Sequence, residues 1–347
     1  PRHPRPLGGD TARQHVGEQQ VSLTGMVLNN TPENPHQMAV GRKPTWIRAK
    51  APGGEAFRKT KELIDTHGLH TVCQEASCPN IGECWSRGTA TIMILGDTCT
   101  RSCGFCNVKT GRPPTVDLDE PRRVAELLSQ VDLNHVVITS VDRDDLRDGG
   151  AAIWAETIDR VHESCPNLSV EALVGDFKGS KKDLDVVIRS RPEILSHNME
   201  TVKRMHPAVR PQADYDRSLQ VLRWIREAGL VTKTSIMVGI GERDDEIDTI
   251  LSDIRTVADA DIVTIGQYLQ PTRNHLPIDR WVHPDQFEAY RTRGLELGFK
   301  VVESGPLVRS SYHAEEQARK LSPADQHTAG AMKTLLSKAR ENRYRSA

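Results

Sequence analysis

Six of the seven cysteines in this chain fall into two triplets whose spacing is typical of metal ligands. The first triplet is Cys73, Cys78 and Cys84, and the second is Cys99, Cys103 and Cys106. Three thiolates on one tight loop can bind three irons of a cubane [4Fe–4S] cluster and leave the fourth iron without a protein ligand. Because an open metal position makes a metal site reactive, the second triplet predicts a reactive iron–sulfur centre.

Three other readings of the second triplet are weaker. A disulfide framework needs an even number of cysteines and an export signal. A zinc site would need a fourth nearby ligand and Cys-x2-Cys pairs, and only Cys103 and Cys106 have that gap. Buried structural thiols would not cluster in this way.

The composition of the whole chain limits which kinds of binding partner and which cellular compartment are expected. It has 46 basic and 47 acidic residues, a balance that favours neither a nucleic acid nor an anionic membrane as a partner. No apolar run approaches the length of a membrane-spanning helix, and no secretory segment opens the chain. An odd cysteine number without an export signal predicts a reducing compartment, and we expect the cytoplasm. A transit-peptide remnant at the slightly basic N-terminus is the minority alternative.

The elements that must position the cysteines alternate between strands and helices. A helix is predicted over 54–67, and the first triplet follows it in a Gly/Pro/Asn-rich loop. Strands are predicted over 91–95, 135–139, 169–174, 193–196, 232–238, 261–266 and 300–303. Helices are predicted between them over 121–130, 151–162, 181–189, 215–228, 244–258 and 284–297. This alternation predicts a parallel sheet with right-handed crossovers, either open and doubly wound or closed as a β/α barrel.

Polar and glycine-rich segments follow the predicted strands. They include Asp148-Gly149-Gly150, Gly175-Asp176, His197-Asn198, Gly239-Ile240-Gly241-Glu242 and Gln267-Tyr268. In both architectures the chemistry lies at the C-terminal ends of the strands. This convergence favours a site at the mouth of a barrel.

The second triplet, Cys-x3-Cys-x-Phe105-Cys, directly after a strand, resembles the motif of the radical S-adenosylmethionine (SAM) superfamily. The resemblance implies a partial (β/α)6 barrel in which the cluster binds SAM through its methionine amino and carboxylate groups. It also implies that one electron cleaves SAM to a 5′-deoxyadenosyl radical. Gly149 and Gly150 stand where the superfamily has Gly-Gly-Glu, but Ala151 replaces the acid. Asp145 or Asp148 is the predicted substitute.

Further cofactor contacts are expected at other strand ends. Gly239 to Glu242 resembles the adenine-side loop of the superfamily, although an ordinary strand-to-helix turn is the alternative. Glu171 and Asn198 are predicted to contact the ribose or the carboxylate of SAM. The alternative for Asn198 is an N-cap of a helix that starts at Met199.

The first triplet and several later motifs resemble the lipoyl synthase family. They are Cys73-Gln-Glu-Ala-Ser-Cys78-Pro-Asn-Ile-Gly-Glu-Cys84, Asp144-Asp145-Leu146-x-Asp148-Gly149-Gly150, His197-Asn198-x-Glu200-Thr201, Gln267-Tyr268-Leu269-x-Pro271-Thr272 and Arg309-Ser310-Ser311-Tyr312. The resemblance covers about 43–315. It implies insertion of sulfur at C6 and C8 of an octanoyl group on a lysine of a carrier domain, with two SAM molecules per turnover.

The same resemblance implies a second, auxiliary [4Fe–4S] cluster that donates both sulfurs. Its ligands would be Cys73, Cys78, Cys84 and Ser311, a hard oxygen ligand on an otherwise soft site. The alternative for Ser311 is a cap of the helix that follows.

The expected partners are octanoylated carrier proteins: E2 lipoyl domains of dehydrogenase complexes and the glycine cleavage H protein. A ferredoxin or flavodoxin would supply electrons, and an iron–sulfur carrier would supply clusters. The predicted organisation is a disordered tail over 1–42, an extension over 43–90 that binds the auxiliary cluster above the barrel mouth, the barrel over 91–305, and a closing segment over 306–347. Two rival functions are a radical SAM enzyme acting on another substrate and a non-catalytic iron–sulfur electron carrier.

Overall fold

The structure is a computed structural model that describes residues 41–87, 90–131 and 133–321. Nearly all of the predicted tail over 1–42 and the last part of the predicted closing segment, 322–347, lie outside the described residues. In the part of the chain that is described, no helix is long and apolar enough to cross a membrane.

An eight-stranded sheet carries the fold, and two short strands outside it flank the second cysteine triplet. Within the described residues the ten strands, β1 to β10 in chain order, are His70–Thr71, Thr91–Ile94, Thr98–Cys99, Lys109–Thr110, His135–Ser140, Ser169–Leu173, Ile194–Ser196, Val231–Val238, Ile262–Gln267 and Val301–Gly305. The sheet has the order β1-β2-β5-β6-β7-β8-β9-β10, with β1 antiparallel to β2 and every other pair parallel. Its two edges, β1 and β10, do not pair with each other among the described residues. The predicted α/β fold with a partial barrel is confirmed.

Most of the helices return the chain between parallel strands. They are α1 to α11: Glu55–Thr66, Val72–Glu75, Ile81–Ser86, Glu120–Ser129, Ala151–Ser164, Lys181–Arg189, His206–Val209, Tyr215–Glu227, Asp244–Asp253, Pro284–Glu296 and Ala314–Arg319. A π-helical turn, Ile254–Ala258, extends α9, which accounts for the end of the helix predicted over 244–258. The predicted strands and long helices agree with these bounds within a few residues.

One face of the sheet is apolar, and the other carries polar groups among apolar ones. Ile92, Ile94 and Ile138 belong to a hydrophobic cluster that includes α4 and α5. Successive side chains of a strand point to opposite faces, and the intervening positions include His135, Glu171 and Lys233, which approach one another between strands. Polar groups therefore line the inside of the curved sheet.

The first cysteine triplet was predicted to lie in a loop, but two of its cysteines lie in short helices. Cys73 lies in α2, where the Thr71 side chain accepts from the Gln74 N–H at the helix start, and Cys84 lies in α3. These helices have four and six residues. They escaped prediction because a helix of one turn shows no hydrophobic period.

Candidate active site

Cys99 is the last residue of β3, shortly after β2, and Cys103 and Cys106 lie on the loop between β3 and β4. Cys99 Sγ accepts hydrogen bonds from the main-chain N–H groups of Arg101 (3.4 Å) and Asp142 (3.3 Å). Burial and the repulsion between Cys103 and Cys106 raise the pKa of Cys103 to about 12, and burial raises that of Cys106 to about 11. All three are free thiols, and Cys106 interacts electrostatically with Cys99 and with Cys103, so the triplet fits a cationic iron cluster that would stabilise the thiolates.

Main-chain contacts fix the shape of this loop. The Gly104 N–H donates to Val209 O at 2.9 Å, and the Leu276 N–H donates to Gly104 O at 3.0 Å. A Cβ at Gly104 would lie 2.8 Å from Leu276 Cδ1, so this position has no room for a side chain. His275 Nε2 donates to Cys106 O at 3.0 Å. Phe105, a predicted site residue, packs against a hydrophobic cluster that includes Met199, Met205 and Ile240, and so anchors the loop.

Arg101 organises the acidic side chains beside this loop. Its buried guanidinium donates to both Asp144 oxygens (2.8 and 2.9 Å) and to Asp176 Oδ1 (2.6 Å). Asp142 is farther away, with Oδ1 at 3.7 Å from Arg101 Nη1. Burial raises the pKa of Asp142, and its charge acts on all three cysteines of the triplet. Asp142 is therefore the carboxylate at this strand end that faces the cysteines.

The two predicted substitutes for the missing acid are engaged elsewhere. Asp148 accepts from the N–H groups of Gly150 and Ala152 at 3.0 Å, which caps α5. Asp145 forms an ion pair with Arg143 at 2.9 Å. A role of either residue in place of the acid at position 151 stays a prediction. Gly149 (φ +61) and Gly150 (φ +87), the two glycines predicted to contribute to the SAM site, both have a left-handed backbone.

The loop from Gly239 to Glu242 closes on its own carboxylate. Glu242 is buried and accepts from the N–H groups of Gly239 (2.6 Å), Ile240 (2.9 Å) and Gly241 (3.2 Å). A Cβ at Gly239, whose φ is +91, would lie 2.4 Å from Arg280 O. Gly239 and Glu242, the two residues predicted to contact SAM, thus shape the loop after β8.

Glu171 and Asn198 both have protein partners. Glu171 is fully buried, and its carboxylate accepts from Lys233 Nζ at 2.8 Å and from Ser196 Oγ at 3.0 Å. Asn198 Nδ2 donates to Glu200 Oε1 at 2.9 Å. No helix begins at Met199, so the N-cap alternative for Asn198 is wrong. A contact of either residue with SAM stays a prediction.

The first triplet lines a cavity of about 260 Å³, and Ser311 lies on the same wall. The other lining residues include Thr91, His135 and Arg309. Ser311 Oγ accepts from Thr91 Oγ1 at 2.9 Å. Helix α11 begins at Ala314 after His313, so the capping alternative for Ser311 is wrong. Four side chains of the predicted donor set therefore meet on one cavity.

The thiols of this cavity influence one another. Burial and the neighbouring Cys73 and Cys78 raise the pKa of Cys84 to about 12. Burial raises the pKa of Cys73, while a main-chain hydrogen bond from Thr91 lowers it. Three soft sulfurs and one hard oxygen fit the donor set of an iron–sulfur cluster.

The cavity lies in a different place from the one predicted. Thr91 and His135 are the first residues of β2 and β5, so the cavity reaches the N-terminal ends of these strands rather than covering their C-terminal ends. It also extends to Arg309, whose charge acts on Cys78 and on Glu200. Glu200 in turn acts on Cys103 and Cys106.

Polar contacts join the first triplet to the segment after β10. Asn80 Nδ2 donates to Leu307 O at 2.7 Å. Glu83 accepts from Tyr312 OH at 3.2 Å and lies 3.1 Å from His313 Nε2. These contacts support a single wall built from both segments.

Sequence reasoning gave no individual site role to Thr91, Asp142 or Arg309. Thr91 is an ordinary β-branched strand residue, and Asp142 is one acid among several. For Arg309, its place in the same motif as Ser311 could have indicated that it lies near the proposed cluster site. In the described ranges no three His, Cys, Asp or Glu side chains are arranged to hold a single metal ion.

Comparisons with known proteins identify the family. The model of the radical SAM superfamily matches residues 93–254. The chain is 54% identical over 275 residues to the mitochondrial lipoyl synthase of Nematostella vectensis, covering 79% of this chain and 94% of that protein. It is 52% identical to the lipoyl synthase of Flavobacterium johnsoniae, covering 79% and 95%. Among solved structures, methylornithine synthase aligns at a TM-score of 0.46 and 15% identity, covering 64% of this chain and 73% of that chain. The chain belongs to the lipoyl synthase family of the radical SAM superfamily.

Proposed function

We propose that this enzyme inserts sulfur at C6 and C8 of an octanoyl group attached to a lysine of a lipoyl carrier domain. The observation that carries the proposal is the cavity shared by Cys73, Cys78, Cys84 and Ser311. Such a donor set lies apart from the triplet of the radical SAM motif. A second cluster site gives the sulfur a source inside the protein.

In this proposal Cys99, Cys103 and Cys106 hold the radical SAM cluster. When bound, the cluster and SAM supply a carbon radical that can abstract hydrogen from an unactivated C–H bond, which no side-chain acid or base can do. The main-chain N–H groups that point at Cys99 stabilise its thiolate. The main-chain hydrogen bonds of Gly104 hold the loop against Val209 and Leu276.

Asp142 is the residue we propose for the amino group of SAM. A carboxylate favours an ammonium partner, and this one faces all three cysteines. A Cβ at Gly175 would lie 2.3 Å from Asp142 Oδ1, so the neighbouring strand end leaves space for this carboxylate. Gly149, Gly150 and the loop closed by Glu242 form the rest of the rim of the SAM site. Two SAM molecules are consumed per product.

The auxiliary cluster would be held by Cys73, Cys78, Cys84 and Ser311. When bound, it supplies the sulfur atoms that enter the product. Serine oxygen is a harder ligand than thiolate, so the iron it holds is expected to leave first. Its position between the extension and the closing segment supports the proposed organisation over 43–90, 91–305 and 306–347.

The proposed carriers are octanoylated E2 lipoyl domains and the glycine cleavage H protein. A ferredoxin or flavodoxin would reduce the radical cluster, and an iron–sulfur carrier protein would restore the auxiliary cluster. The cytoplasmic compartment stays a prediction, since the relatives include one named as mitochondrial and others from bacteria.

The test is anaerobic reconstitution followed by single-turnover chemistry. Wild type should bind about eight irons per chain, and the variants C73A/C78A/C84A and C99A/C103A/C106A about four each. With dithionite, SAM and an octanoyl-lysine peptide, wild type should form 5′-deoxyadenosine and gain first one and then two sulfurs. Cys165→Ala, outside both triplets, is the matched control and should behave as wild type.

Three results would contradict the proposal. If C73A/C78A/C84A still thiolated the peptide, this cavity would not be the sulfur source. If wild type formed 5′-deoxyadenosine with no thiolated product, the substrate would be a different one. A protein that failed to cleave SAM at all would be an electron carrier instead.

A further inference from the structure

Thr91 contacts two of the four residues proposed as ligands of the auxiliary cluster. Its hydroxyl Oγ1 donates to Ser311 Oγ at 2.9 Å, and its main chain donates a hydrogen bond to the Cys73 thiol. Cys73 belongs to the N-terminal extension, whereas Ser311 follows Thr91 by 220 residues. Thr91 therefore joins two parts of the site that are distant in the sequence.

The sheet holds Thr91 firmly. It is the first residue of β2, pairs with Val137 in the parallel strand β5, and has 7% of its surface exposed. Ser311 lies in the turns between β10 and α11, where no strand or helix fixes its side chain. A ligand on an irregular segment depends on outer hydrogen bonds for its orientation.

We infer that Thr91 is a positioning residue for Ser311, and that its hydroxyl holds the serine oxygen on the cavity wall where the auxiliary cluster binds. The inference rests on the proposed function, because it takes Ser311 as a ligand. Thr91 itself contacts neither substrate nor iron in this role. Loss of such an outer partner typically weakens metal binding by about 10- to 100-fold.

The test compares Thr91→Val with Thr91→Ser in the full-length, reconstituted protein. Valine keeps the shape of threonine but removes the donor, whereas serine keeps the donor. We expect Thr91→Val to release auxiliary iron to a chelator about tenfold faster than wild type. It should also show a larger electron paramagnetic resonance signal of a three-iron cluster. Thr91→Ser should restore both properties to wild-type values.

Thr157→Val is the matched control for the loss of a buried threonine hydroxyl. Thr157 is fully buried in α5, and its Oγ1 donates only to Ile153 O in its own helix. This variant should retain iron as wild type does. If Thr91→Val does not fold, Thr91→Ala compared with Thr91→Ser gives the same test without the bulk of valine.

The outcomes distinguish the positioning role of Thr91 from the ligand role of Ser311. Iron release and spectra unchanged in Thr91→Val, with faster release in Ser311→Ala, would overturn the role of Thr91 and leave the ligand role intact. Unchanged behaviour in Ser311→Ala would instead remove Ser311 from the ligand set. Faster release in Thr91→Val that Thr91→Ser does not correct would assign the effect to packing and also overturn the inference.

Discussion

Lys233 Nζ lies 2.8 Å from Glu171 Oε2, and both side chains are fully buried on the inside of the sheet. Removing one partner of a buried ion pair leaves an uncompensated charge. We expect Lys233→Met to lower the free energy of unfolding of the cluster-free chain by about 3–5 kcal/mol. Urea denaturation would measure it. The double variant Lys233→Met/Glu171→Gln should cost clearly less than the sum of the two single variants, and strict additivity would contradict the pairing.

The same pair predicts a pH dependence of stability. Burial alone would raise the pKa of Glu171, but Lys233 and His135 lower it to about 2, below its ordinary value of 4.5. The pair thus contributes its full stability above pH 4.5, and the contribution is lost as the pH falls toward 2. The difference in urea midpoint between wild type and Glu171→Gln should shrink steadily across this window. A constant difference would show that Glu171 is not charged in the folded state.

Gly239→Ala should damage the loop closed by Glu242. The new methyl group would lie 2.2 Å from Gln267 Nε2, so the cost includes overpacking of about 1–3 kcal/mol as well as a left-handed backbone. We expect a lower melting temperature and weaker SAM binding in equilibrium dialysis. Gly229→Ala is the control, because Gly229 also has a positive φ (+73) but nothing lies within 4 Å of its Cβ position. SAM affinity equal in the two variants would argue against a role of this loop in the cofactor site.

Asp142→Asn should weaken SAM binding by at least about tenfold, because a hydrogen bond to a charged group contributes about 1.5–3 kcal/mol. Asp148→Asn removes the same charge from a carboxylate that caps α5. It should change SAM affinity by less than about twofold. Isothermal titration with the reconstituted protein distinguishes the two. The reverse order of effects would return the amine contact to Asp148.

Glu83→Ala should loosen the wall of the auxiliary cavity, since Tyr312 loses its acidic partner and His313 loses one of its two, keeping only Glu316. We expect faster loss of auxiliary iron with little change in global stability, because each of these part-exposed contacts contributes at most about 1 kcal/mol. Glu126→Ala removes an exposed acid that pairs with Arg122 in α4 and should leave iron retention unchanged. Equal iron loss in both variants would contradict the claim that the contacts of Glu83 help the cavity to retain iron.

The fold was predictable where periodicity was strong. The helix over 181–189 has the predicted bounds, because its apolar positions recur at helical spacing and Ser180 caps its start. The π-helical turn after Asp253 was not predictable, because its residues continue the same apolar pattern. The short helices that hold Cys73 and Cys84 are too brief to show a period at all.

The site was predictable as a set of donors but not as an arrangement. The spacing of each triplet indicates iron–sulfur chemistry without any coordinates. The pairing of Glu171 with Lys233 was not predictable, because it depends on which strands lie two apart in the sheet and on which face each residue takes. Asp148 was predicted to face the cofactor, but a single sequence gives no way to tell a capping aspartate from a binding one.

The auxiliary site draws on both ends of the described chain, and this has a consequence for how the protein is made. The second triplet lies within one short loop, so it leaves the ribosome nearly at once. Ser311 emerges 220 residues after Thr91, its partner. The proposed set of four ligands is therefore incomplete until Ser311 has been synthesised, so the proposed auxiliary cluster cannot gain its serine ligand before then.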